Sequence, residues 1–163
     1  MNTTLLKRHT LLLTLVFVTL PLAASADIVT FTAVLEGSQE VPPVATSATG
    51  TATLVIDTDN GTLGAIPFQM EFSGLSSAQT AAHVHQAPAG SNGPVVDGLP
   101  LGSPVDTTIA LTLVSYAALA ADGLYVNVHT TNFPGGEIRG QLVLTGTVAT
   151  GSKTWGEVKA LFR

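Results

Sequence analysis

The sequence predicts an all-β protein, an antiparallel sandwich or barrel, and three observations carry that expectation. Apolar and polar residues alternate with period two over short segments, Gly and Pro punctuate the segments, and Asn60–Gly61 is a strong hairpin signal. From Gly50 the chain places Ala52, Leu54 and Ile56 on one side, and Thr51, Thr53, Val55 and Asp57 on the other. That is a half-buried strand. It runs into Asp59–Asn60–Gly61–Thr62 and returns over Leu63–Phe72. Ile28–Leu35, rich in β-branched and aromatic residues, forms an earlier strand. Further strands are expected near Thr80–Gln86, Thr107–Val114, Leu124–Thr130 and Glu137–Gly146.

Two segments depart from strand character. Residues 115–123 suit one or two helical turns, with Ser115 as N-cap and Gly123 ending them. At the C-terminus Thr154 and Glu157 have capping-box spacing. Trp155, Val158 and Phe162 follow on one helical face, with Lys159 and Arg163 near the negative end of the dipole. This tail reads as a short helix docked on the sheet, with a sorting or attachment tag as the sharper alternative.

The beginning of the chain has the order of a secretory leader. Lys7 and Arg8 precede the apolar run Leu11–Leu22, and Ala24–Ser25–Ala26 supplies a small-x-small cleavage site. The apolar run is shorter than the roughly 20 residues a membrane helix needs, so no stable span is expected after cleavage. The domain organisation is therefore 1–26 leader, 27–148 β domain and 149–163 tail, in a secreted or periplasmic protein.

Cleavage takes Lys7 and Arg8 from 6 basic residues and leaves all 11 acids, a formal net charge of −7. Between His9 and Ser152 the only cation is Arg139. A phosphate backbone needs several Lys or Arg, so nucleic acid is excluded as a partner, and anionic membrane surfaces with it. Cysteine is absent, which excludes disulfides, thiolate chemistry and Cys-ligated zinc. An exported domain without disulfides depends on its core. Leu54, Ile56, Val126, Val128, Ile138 and Leu142 occupy the apolar phase of their strands and are the expected core.

Residues 123–144 read as a second hairpin. If its apolar sets share a face, Val128 lies opposite Ile138 and Val126 opposite Gly140, where the missing side chain admits a close approach. The other face then carries Tyr125, Asn127, His129, Glu137, Arg139 and Gln141, expected to point outward. His83 and His85 share one side of the preceding strand, opposite Ala82 and Val84.

Strand histidines at i and i+2 point the same way, and His129 from a neighbouring strand can complete a three-nitrogen face. Zinc and copper both accept such a set. His83, His85 and His129 are therefore the candidate metal ligands. The alternative is structural, with imidazoles hydrogen-bonded to loop backbone or to Glu137. Glu137 and Arg139, two residues apart, read either as an exposed ion pair or as a clamp in which Arg139 bridges carbonyls beneath the 86–108 loop. No Gly-x-Ser-x-Gly context or carboxylate pair fixed by spacing suggests an enzyme.

Three segments together resemble the CHRD domain, found in chordin and in many exported bacterial proteins. They are the hairpin at residues 56–63, "AAHVHQAPAGSNGPVV" and "LYVNVHTTNFPGGEIRGQL". The likeness spans roughly Ile28 to Thr145. It implies an immunoglobulin-like β-sandwich outside the cytoplasm and supplies no catalytic activity. The expected function is a non-enzymatic binding or structural module for an unknown protein or extracellular ligand. The alternative is a zinc- or copper-binding protein built on the three histidines. Copper–zinc superoxide dismutase also uses H-x-H on a strand, but it needs more histidines and a disulfide, which speaks against a redox enzyme.

Overall fold

The structure, a computed structural model, describes residues 24–58 and 63–153. Among these residues nine strands and one α-helix follow in order: β1 Ala24–Glu36, β2 Thr49–Asp57, β3 Gly64–Ser73, β4 Gln79–Gln86, β5 Val95–Gly98, β6 Val105–Leu111, α1 Leu113–Ala120, β7 Leu124–Thr130, β8 Ile138–Gln141 and β9 Val143–Lys153. Most of the expected leader, the expected hairpin turn at 59–62 and the expected tail helix over 154–163 lie outside the described residues.

Hydrogen bonding joins these strands into one sheet, antiparallel along the order β5-β4-β7-β8-β1-β2-β3-β6, with β9 pairing β1. The sheet curls until its edge strands approach, where Asp97 on β5 accepts from the Ala110 N–H on β6 at 2.6 Å. This nearly closed, barrel-like arrangement is more continuous than two sheets stacked face to face. It encloses one core, in which all six expected residues are buried together with Phe31, Leu35 and Phe68.

The register of β7 and β8 follows the apolar pattern: Val128 lies opposite Ile138 and Val126 opposite Gly140. A Cβ on Gly140 would press on the Val34 carbonyl (2.5 Å) and the Ala33 side chain (3.0 Å), so glycine lets β1 lie close. Val128 is fully buried. We expect Val128→Ala to lower stability by about 1–3 kcal/mol through lost burial and incomplete collapse, measured by denaturant titration. An unchanged midpoint would mean that the strand phase is wrong.

The local corrections have physical causes. The helix is capped by Thr112, whose hydroxyl accepts from Ser115 N–H at 3.2 Å. Ser115 answers from position N3 by accepting the Thr112 N–H at 2.8 Å, so it completes a capping box instead of being the cap. Residues 113 and 114 thus leave the expected strand and start the helix. Asp122 takes the left-handed conformation (φ 52°) in place of Gly123. The Gly123 N–H bonds Ala118 O (2.7 Å) and the Asp122 N–H bonds Leu119 O (3.0 Å), a Schellman closure. The expected strand Glu137–Gly146 breaks at Leu142. Leu142 is buried and bonds Leu124 O, but Leu144 is exposed because β9 turns away to pair β1. The four-residue β5 is too short to show a period.

Candidate metal centre

All seven residues of β7 are buried, so both of its faces are covered. One covers the core. The other carries Tyr125, Asn127 and His129, and the sequence reading that this face points to solvent is overturned. Three loops roof it: 87–94 and 131–136 bond Tyr125 and His129 directly, and 37–48 is tied down through Glu137 beside it. An alternating strand looks the same in sequence whether water or a loop covers its polar side.

The register brings the polar residues into rows. His85 lies opposite Tyr125, and Tyr125 opposite Gln141; His83 lies opposite Asn127, and Asn127 opposite Arg139. His129 sits opposite Ala81, next to the His83 row. Because directly opposed residues share a face, His83, His85 and His129 converge. One ligand atom from each lies within 4.8 Å of the others, and His83 Nδ1 is 3.1 Å from His129 Nε2.

Carbonyls orient two of the three rings. His85 Nδ1–H donates to Gly93 O and His129 Nδ1–H to Pro134 O, each at 3.0 Å. Both Nε2 atoms are thereby turned from the carbonyls: His129 Nε2 meets His83 Nδ1, and His85 Nε2 is buried without a partner. Metal-binding histidines are commonly fixed in this way, by an outer hydrogen bond on the other nitrogen. Burial pushes the pKa of His85 and of His129 below the usual 6.5, against the carbonyl bonds of Gly93 and Pro134. The neighbouring histidines, and Arg139 for His85, act in the same direction as burial. Neutral imidazoles are the form a metal requires.

The span is wider than the roughly 4 Å expected from zinc–nitrogen distances near 2.0–2.1 Å. His85 is drawn aside by Gly93 and by Tyr125, whose ring stacks on its own at 4.9 Å and 7°. Closing on an ion would draw His85 inward by about 1 Å or more. The donor set fits zinc or copper.

Glu137 and Arg139 do not pair with each other. Glu137 accepts four hydrogen bonds, from Thr46 Oγ1, Ser76 N, Ser76 Oγ and Thr130 Oγ1. The Arg139 guanidinium carbon stands 3.5 Å above the Tyr125 ring. Its nitrogens reach Asn92 Oδ1 and Pro88 O in the 87–94 loop, both at 3.3 Å. Two further members of this layer carry no site motif, although the strand alternation does place Tyr125 on this face. Tyr125 holds Gly93 through its hydroxyl and stacks between His85 and Arg139. Glu40, an isolated acid before two prolines, is buried under the 37–48 loop.

An all-β domain with a loop-roofed polar face and three converging histidines is the class that the geometry defines. The chain matches the CHRD domain model over residues 31–142 and belongs to that family. No curated protein and no solved structure matches it. Among the described residues no helix is long and apolar enough to cross a membrane.

Proposed function

We propose that this CHRD domain is an exported, non-enzymatic binding module whose His83–His85–His129 cluster holds one zinc or copper ion. The observation that carries the reading is the convergence of the three rings, with two Nδ1 atoms tied to carbonyls and their Nε2 atoms turned away from those ties. Export rests on the leader pattern in residues 1–26. The non-enzymatic reading is supported by what the buried charges do. Glu137 and Arg139, the natural candidates for acid–base or anion chemistry, are engaged in holding loops. The hydrogen bond between His83 and His129 favours a second reading, in which the cluster is purely structural.

Titration of Zn²⁺ or Cu²⁺ into parent and His129→Ala protein separates the two. The parent should bind one ion per chain. His129→Ala should lose at least about a hundredfold in affinity, since a lost ligand exceeds the 10–100-fold effect of a lost outer-shell partner. Binding by the parent should weaken as the pH falls through the lowered values of His85 and His129, below the ordinary 6.5, because protons then compete for the lone pairs. Equal binding by both proteins leaves only the structural role.

A further inference from the structure

Glu40 and Asn127 are 4% and 3% exposed, and each presents an oxygen with no hydrogen-bond partner, Glu40 Oε1 and Asn127 Oδ1. Both oxygens converge on Gly136, where a Cβ would collide with the two of them and with Asn127 Nδ2. Two buried acceptors facing one another are unfavourable unless a donor lies between them. The Asn127 amide cannot supply it without loss. Its Nδ2 is directed at Gly135 O (3.4 Å), and turning the amide over would set Oδ1 against that carbonyl. The remaining source of a donor is Glu40 itself.

We propose that Glu40 is held protonated and donates to Asn127 Oδ1, a latch that ties the 37–44 loop to β7 and opens when the proton leaves. The proton fits better than a metal cation. Only two oxygens converge there, fewer than hard cations take, and the charge of Arg139 stands nearby. The groups facing Glu40 are Arg139 from β8 and the Asn127 amide from β7; the Arg139 charge and the amide NH₂ favour the ionised carboxylate, whereas the unpartnered Oδ1 favours the acid. His83 stands beyond Asn127 in the register, and Glu36 at the end of β1 is occupied by the Ser38 hydroxyl. Burial outweighs Arg139 and Asn127 and pushes the Glu40 carboxyl up to about 7.

The latch sits beside an opening. The 37–44 and 87–94 loops face each other across a cleft of about 380 Å³ that Arg139 and Gln141 also line. The loops are linked by Asn92 Nδ2 donating to Val41 O at 2.8 Å. When Glu40 ionises, the repelling oxygens release the 37–44 side, and access to the cleft becomes dependent on pH near neutrality.

Because the folded value is raised, the contribution of Glu40 to stability is complete below pH 4.5 and is lost as the pH rises through about 7. His85 and His129, with lowered values, act in the opposite sense below pH 6.5, so the test compares variants at each pH. Glu40→Gln keeps the shape and the donor of the protonated acid. We expect the unfolding equilibrium constant of the parent, relative to Glu40→Gln, to rise by up to about tenfold per pH unit between roughly pH 5 and 7, then level off. Amide exchange in residues 37–44, corrected for its intrinsic pH dependence, should accelerate above neutrality in the parent only. The carbon-13 carboxyl resonance of Glu40 should titrate near neutrality, and this measurement on the parent decides the matter even if the variant does not fold. A carboxyl that titrates near 4.5 overturns the latch. Parallel stability profiles, or a shift produced by sodium or calcium at constant pH, overturn it as well.

Discussion

Arg139→Lys should destabilise the domain nearly as much as Arg139→Ala. Arg139 is 1% exposed and lies flat on Tyr125 while its two terminal nitrogens reach Asn92 and Pro88. All three contacts use the planar fork. An ammonium offers one point of charge, which cannot cover the ring and reach both oxygens from a single position. Alanine removes the charge but leaves Tyr125 uncovered and the Pro88 carbonyl and Asn92 without their donors. Losing two hydrogen bonds from a charged donor together with the stack costs about 3–5 kcal/mol. The lysine variant should fall within about 1 kcal/mol of the alanine variant, since the charge it keeps is poorly solvated where it sits. Urea titration of the three proteins at neutral pH measures both differences. Two variants that melt close to the parent would show that the stack and the loop bonds carry little, and Arg139 would cease to be a clamp.

The stack also reaches the histidines. Tyr125 lies between Arg139 and His85, and its hydroxyl accepts from the Gly93 N–H, while Gly93 O receives His85 Nδ1–H. One loop residue therefore fixes an imidazole and a phenol at once. The position of His85, and with it the geometry offered to a metal, depends on the 87–94 loop staying seated.

Much of this was legible in the sequence wherever a residue's neighbours along the chain determine its surroundings. The alternation in residues 124–128 and 138–142 set the phase and register of β7 against β8, down to Val126 opposite Gly140. The H-x-H spacing put His83 and His85 on one face, which needs only the period of a strand. What remained hidden depends on contacts between distant segments. Alternation does not reveal a roof, so the face of Tyr125, Asn127 and His129 looked solvated. Glu40 carries no periodic signal, and only the fold brings it against Asn127. The curl that brings Asp97 to Ala110 comes from sheet twist and from the length of the Leu99–Pro104 connection, neither of which a local pattern encodes. The leftover signal was compositional: a lone arginine amid acids, two residues from a glutamate, is more informative in a core than on a surface.

Glu137→Ala should be among the most destabilising single changes in the domain. The carboxylate is fully buried, and each oxygen takes two donors: Thr46 Oγ1 (2.7 Å) and Ser76 N (2.8 Å) on Oε1, Ser76 Oγ (3.0 Å) and Thr130 Oγ1 (2.7 Å) on Oε2. These come from the 37–48 loop, the turn after β3, and β7, so one side chain joins three separate segments. Alanine leaves a cavity and four donors without their acceptor, of which only the Thr130 hydroxyl is fully buried, and we expect a loss of about 3–4 kcal/mol. Glutamine preserves the shape, but its NH₂ meets two groups that also donate, so about 2–4 kcal/mol should be lost. The pH dependence identifies the charge as the cause. Burial raises the Glu137 pKa, yet the bonds from Thr130, Thr46 and Ser76 outweigh it and hold the value below 4.5. A lowered folded value means that the stabilisation is present above pH 4.5 and is lost as the pH falls through the folded value. Urea titrations of parent and Glu137→Gln should therefore show a gap that is constant from neutrality down to about pH 5 and narrows below 4.5. A gap that stays unchanged into acid would mean that the four donors hold the shape of this side chain and not its charge.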